Sequence, residues 1–215
     1  NKFSQSVNLN FNQWQNETGL KKFASHFYNQ TSFLIDRKIL RNADNFNLNP
    51  FSNKEEELVG LTRSFRNSFF YNRGKQKHST TYSYLLNESQ NLLSVGSLSA
   101  KNKSHQMQYQ HLVQKSWLFN FAGSSSVSES TSENYPSRNF EINSYRVEPK
   151  IGYLFSRNAS WDLFYEFQQK ENQIGAFETL KQTRLGTSFT FNSEKGFSMN
   201  GEFSLYNNTF IGDNL

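Results

Sequence analysis

The sequence predicts an all-β chain, an antiparallel meander of about ten long strands. Three observations carry that prediction. Apolar and polar residues alternate with a period of two along most of the chain, which sends successive side chains to opposite faces of a strand. Aromatic residues make up 16% of the 215 residues, 22 of them Phe, although only 35% of the chain is hydrophobic and the mean hydropathy is −0.77. Disordered chains are poor in aromatics, so here the aromatic and polar residues must be interleaved on opposite faces. The segments between the periodic stretches also alternate between short and long.

The first strand is placed at 2–14, where Phe3, Val7, Leu9 and Phe11 are interleaved with Ser4, Ser6, Asn8, Asn10 and Asn12. Strands two, three and four follow at 22–35, 58–71 and 77–86, and in the third Val59, Leu61, Phe65, Phe69 and Tyr71 share one parity. The fifth and sixth, 103–114 and 116–128, are adjacent, and the sixth aligns Trp117, Phe119, Phe121 and Val127. The seventh, 139–155, sets Tyr145, Val147, Ile151, Tyr153 and Phe155 on one side. In the eighth, 160–170, Trp161, Leu163, Tyr165 and Phe167 alternate with Asp162, Glu166 and Gln168. The ninth, 180–192, alternates Leu185, Phe189 and Phe191 with Arg184, Ser188 and Thr190, and Phe197, Met199, Phe203 and Leu205 mark the tenth at 196–208.

Most of these strands have ten residues or more, against about 5 to 6 in a typical soluble protein. At about 3.3 Å per residue, ten residues tilted by about 40° rise about 25 Å, the height of the apolar band of an outer-membrane barrel. Short connections are expected after the odd strands, at 15–21, 72–76, 115, 156–159 and 193–195. Long ones are expected after the even strands, at 36–57, 87–102, 129–138 and 171–179. Tight turns at one end and long loops at the other describe a membrane barrel, with periplasmic turns and extracellular loops. The chain thus reads as part of a transmembrane outer-membrane β-barrel. No run of 18 apolar residues occurs that would form a membrane-spanning helix.

Aromatic residues gather at the tightly turned end. Trp14, Phe23, Tyr71, Trp117, Phe155, Trp161, Phe191 and Phe197 are expected to form a girdle where hydrocarbon meets headgroups, a level that favours amphipathic rings. Arg63, with the parity of the apolar face, and Trp14, out of phase with Phe3 and Phe11, are accounted for by a bulge or a headgroup-level position. Pro149 cannot donate to a ladder and predicts a bulge or local break. If the tight turns are periplasmic, the first strand starts and the tenth ends at the cell surface. A barrel chain normally starts and ends in the periplasm, so a window cut from a longer chain is expected, with twelve or more strands in all.

The polar parity of the later strands carries Arg146, Glu148, Lys150, Asp162, Glu166, Arg184 and Glu202, which would face the barrel interior. Mixed signs there pair across strands or line a solvated passage, and they build no single-sign ring for ion selection. No catalytic or cofactor motif is present, and the absence of Cys removes thiolate metal sites and cysteine nucleophiles. His105 and His111 share a face of the fifth strand but stand about 20 Å apart, too far to hold one metal, and read as packing or interfacial residues. An outer-membrane lipase would need a Ser beside His105, with Ser125 or Ser188 the candidates, but no spacing supports it. The net charge of +5 is scattered singly, with no dense basic run for nucleic acid.

With the strands placed, residues 139–172 (NFEINSYRVEPKIGYLFSRNASWDLFYEFQQKEN) and 201–215 (GEFSLYNNTFIGDNL) resemble the C-terminal barrel region of large outer-membrane proteins of the Bacteroidota. The bias to Asn, Ser, Lys and Phe along the chain is similar to that of the same group's envelope proteins. The resemblance implies a Gram-negative outer membrane and a large parent protein, and names no substrate. A non-enzymatic membrane-embedded scaffold or translocation component is the expected function, without cofactor. Its expected partners are outer-membrane lipid, lipopolysaccharide and other envelope proteins. The alternatives are a solute or protein channel with a charged lumen, and a soluble secreted β-rich adhesin.

Overall fold

In the computed structural model, which describes residues 2–39, 58–74, 77–93, 96–174, 177–193 and 196–212, the alternating segments pair into one antiparallel sheet of ten strands in chain order. The strands are β1 (Lys2–Asn10), β2 (Phe27–Ile39), β3 (Leu58–Tyr71), β4 (His78–Leu93), β5 (Gly96–Val113), β6 (Trp117–Ser132), β7 (Phe140–Leu154), β8 (Ala159–Asn172), β9 (Thr179–Asn192) and β10 (Ser198–Ile211). Each pairs with its sequence neighbours, and β1 and β10 form the two edges.

Within the strands, the register places the apolar sets named from the sequence on one face. Val7 opposes Thr31, Phe69 opposes Tyr82, Met107 opposes Gly123, Gly123 opposes Val147, and Trp161 opposes Phe189. Directly opposed residues share a face, so the alternation of each strand is propagated sideways into one predominantly apolar face, broken by a few polar residues such as Thr31, Asn67 and Ser125. Little of it is covered. Ile35 on this face and Phe164 on the polar face are the buried hydrophobic residues among those described, while Phe121, Tyr145, Leu163, Leu185 and Phe203 on the apolar face are exposed. The accessible surface is 15225 Å², against about 10,000 Å² for a folded globular monomer of this mass.

Several elements differ from the sequence expectation. The first strand ends at Asn10, and Asn12–Trp14 form a 3-10 turn with Trp14 stacked on Phe11 at 5.0 Å between ring centres. That turn explains why Trp14 is out of phase. Leu20–Ala24 form a short helix, α1, so Phe23 lies on a helix and β2 begins only at Phe27. The long connection expected at 87–102 is mostly strand, since β4 runs to Leu93 and β5 starts at Gly96. The tenth strand reaches Ile211, beyond the end expected at 208. At Pro149 the ladder to β8 is interrupted between Val147 and Lys150, but the register on both sides is the same, so there is a break and no bulge. Residues 40–57 of the long connection expected at 36–57 lie outside the described residues.

Candidate functional site

The polar face is built from the other parity of the same strands, and on β7 to β10 its charges join into a network. Arg146 Nη2 donates to Glu148 Oε2 at 2.9 Å, and Arg146 Nε lies 2.8 Å from Glu166 Oε1. The second oxygen of Glu166 is 3.9 Å from Arg184 Nη1, and Arg184 Nη2 also pairs with Glu202. Glu148, Arg146, Glu166, Arg184 and Glu202 therefore form one chain of alternating sign across four strands. Lys150 Nζ and Asp162 Oδ2 form a separate pair at 2.8 Å between β7 and β8, and Ser188 Oγ donates to the same carboxylate at 3.5 Å. All seven charged residues singled out from the sequence enter these contacts.

Glycine makes room for the network. Gly152 is directly opposite Asp162, and a Cβ on it would stand 2.5 Å from Asp162 Oδ1. Arg184 lies over the rings of Phe164, at 4.8 Å, and Tyr206, at 5.1 Å. A planar, weakly hydrated guanidinium suits such stacking while it bonds carboxylates at its edge. With Glu166 only 14% exposed, the centre of the network is partly withdrawn from water.

The middle of the polar face has a different chemistry. On β4, β5 and β6 this face bears no formal charge among the described residues. It presents Ser79, Thr81 and Ser83, then Gln106, Gln108 and Gln110, then Asn120, Ser124 and Ser126. Shallow grooves of about 290 Å³ and 270 Å³ run where this neutral wall meets Arg146, Glu148 and Lys150. This division was readable in the sequence, because Gln106, Gln108 and Gln110 recur at a spacing of two between His105, Met107, Tyr109 and His111.

On the apolar face the aromatic residues meet in pairs near the ends of strands. Trp117 contacts Tyr153 at 4.8 Å and Tyr153 contacts Phe155 at 4.8 Å. Phe23, though on α1, contacts Phe27 at 5.0 Å and Tyr71 at 6.3 Å, and Phe191 faces Phe197 at 6.4 Å. Trp161 is directly opposite Tyr153 and Phe189. Formal charges on the apolar face are confined, among the described residues, to the far end of the strands. One ladder row there runs Arg63, Glu88, Lys101, Glu129 and Glu141, with Lys101 Nζ bonded to Glu88 Oε1 at 3.1 Å. Arg63 is thus in phase, at the edge of the apolar region.

The histidines pair across strands in a way that their spacing along β5 could not reveal. The Tyr82 hydroxyl and His105 Nδ1 are 2.7 Å apart, and His78 Nδ1 and His111 Nδ1 are 3.3 Å apart. Ser125 is directly opposite His105, but the hydrogen-bond partner of that ring nitrogen is Tyr82. Ser188 belongs to the polar face of β9 and bonds Asp162. Among the described residues no group of three or more His, Cys, Asp or Glu converges to hold a metal ion.

No protein-family model matches the chain, and no curated protein sequence matches it. Among solved structures, the crystal structure of the ferric yersiniabactin uptake receptor FyuA from Yersinia pestis is similar, with a TM-score of 0.55 over 98% of this chain at 9% sequence identity. The chain spans about two fifths of the length of that structure, 41%. The likeness is one of fold. It makes the ten-stranded meander a sheet of the outer-membrane β-barrel type.

Proposed function

We propose that this chain is part of the wall of a transmembrane β-barrel in a Gram-negative outer membrane. It serves there as a membrane-embedded scaffold or translocation component and catalyses no reaction. The observation that carries this reading is the uncovered, predominantly apolar face that extends over ten strands, backed by a polar face braced with ion pairs. Water does not favour an apolar sheet of that extent, whereas hydrocarbon does. The vertical order agrees. From Val113 to Lys101, at about 3.3 Å per residue and a tilt of about 40°, β5 climbs about 30 Å, which carries the chain from the aromatic girdle to the charged row across one apolar band of about 25 Å.

Lipid and lipopolysaccharide are then the partners of the apolar face, and other envelope proteins the partners of the exposed ends. The Asn-, Ser-, Lys- and Phe-rich composition supports a Bacteroidota envelope as the setting. Extraction of membranes carrying the protein with carbonate or urea, followed by gels of boiled and unboiled samples, tests the reading. Retention in the membrane with a shift on boiling is expected. Release with no shift would overturn it and leave a secreted β-rich adhesin.

The neutral wall of β4 to β6 favours a second reading, a channel for polar solutes. Its hydroxyls and amides offer donors and acceptors without the single-sign field of an ion filter. Planar bilayer recordings separate the two, since a scaffold gives no unitary conductance.

A further inference from the structure

We propose that His78 and His111 form a binding site for a borderline divalent transition metal such as zinc. The two residues are directly opposite on β4 and β5, at the end of the sheet where the aromatic rings gather, and neither is fully exposed. Their Nδ1 atoms face each other at 3.3 Å with the rings at 83°. In a tautomer with one proton on Nδ1, that separation suits a hydrogen bond between the two rings. It equals the bite of one tetrahedral ion: two nitrogens at about 2.0–2.1 Å, subtending about 109°, lie about 3.3–3.4 Å apart.

The tautomers lead to the same place. With both protons on Nε2, two lone pairs point at each other, an arrangement that a cation between them turns from repulsive to favourable. With one proton on Nδ1, metal binding needs only a shift of that proton to Nε2 of the same ring. The rings are also held. Tyr71 packs edge-on to His78 at 5.5 Å, and Tyr109 contacts both His78, at 5.4 Å, and His111, at 6.3 Å. Pre-set donors lose less entropy on binding. No third His, Cys, Asp or Glu joins them among the described residues, so two coordination positions stay open to water or to a donor carried by another molecule. Imidazole donors suit zinc, copper and nickel and not magnesium or calcium. This inference does not depend on the membrane reading.

Titrating the folded protein with zinc chloride, followed by calorimetry, tests it. One bound ion per chain is expected, with His78→Gln and His111→Gln each weakening binding at least tenfold, the double variant no weaker than either single one, and His105→Gln unchanged. Binding that survives both single substitutions, or falls equally with His105→Gln, would overturn the proposal. A measurement on the unsubstituted protein covers variants that fail to fold. Metal on Nδ1 leaves Nε2 protonated and without a nucleophilic lone pair, so zinc should protect His78 and His111 from diethyl pyrocarbonate, read by mass spectrometry, while His105 still reacts. Equal labelling of His78 and His111 with and without zinc would likewise overturn it.

Discussion

The ring of Phe164 occupies the space that Gly186, directly opposite on β9, leaves by having no side chain. A Cβ on Gly186 would stand 2.8 Å from Phe164 Cε2 and 2.9 Å from the carbonyl oxygen of Phe203. Phe164 can turn away from such an atom, but the backbone of β10 cannot. Phe164 is also one of the two hydrophobic residues buried among those described, and Arg184 stacks on it.

Gly186→Ala should therefore destabilise the protein by about 1–3 kcal/mol, the usual cost of overpacking. The temperature at which the folded gel band converts to the unfolded one measures it. A variant that converts at the parent's temperature would show that the close approach of Phe164 and Phe203 is relaxed without cost.

Glu166 is the carboxylate shared by Arg146 and Arg184. Glu166→Gln leaves two guanidiniums facing one neutral amide in a partly desolvated place, for a loss of about 1–3 kcal/mol. Arg146→Met should cost less, because Arg184 still partners Glu166 and the Arg146 side chain is 45% exposed. Thermal or urea unfolding of the two variants checks the order, and a larger loss for Arg146→Met would show that Glu166 is not the hub.

The sequence made the faces readable and left parts of the boundaries hidden, for a physical reason. Between Trp117 and Val127 one face is apolar and the other polar, so alternation marks both the strand and its sides. Towards the far ends of β4 and β5 both faces are polar, as Asn87, Glu88, Ser89 and Gln90 opposite Ser99 to Asn102 show, and alternation vanishes although pairing continues. That stretch resembles a loop in composition. The short helix α1 fails differently: Leu20 and Phe23 suit a strand as well as a helix turn, and local pattern cannot separate them over five residues. The seven polar-face charges needed only parity. The His78 and His111 contact needed the register of β4 against β5, which no local pattern shows.

The apolar face gives the sharpest contrast for a membrane. Phe121 and Ser124 lie three residues apart on β6 and on opposite faces. Phe121→Arg, near the middle of the belt, should cost about 2–4 kcal/mol if hydrocarbon covers it, whereas Ser124→Arg on the polar face should be tolerated. Folding into lipid vesicles, read by the unboiled gel band, compares the two. Equal behaviour would remove the sidedness on which the membrane reading rests.

The charged row of the apolar face alternates in sign from Arg63 through Glu88 and Lys101 to Glu129, then breaks, because Glu141 is directly opposite Glu129. Like charges so placed repel, and opposite charges stabilise a cross-strand pair by about 0.2–1 kcal/mol. Glu141→Lys restores the alternation and should raise the unfolding temperature by a small amount at low salt. At about 1 M salt, where screening acts within about 3 Å, most of that gain should disappear. A gain that persists undiminished at high salt would assign the effect to strand propensity or packing at 141, and a loss at low salt would mean that the Glu129 and Glu141 side chains diverge and do not repel.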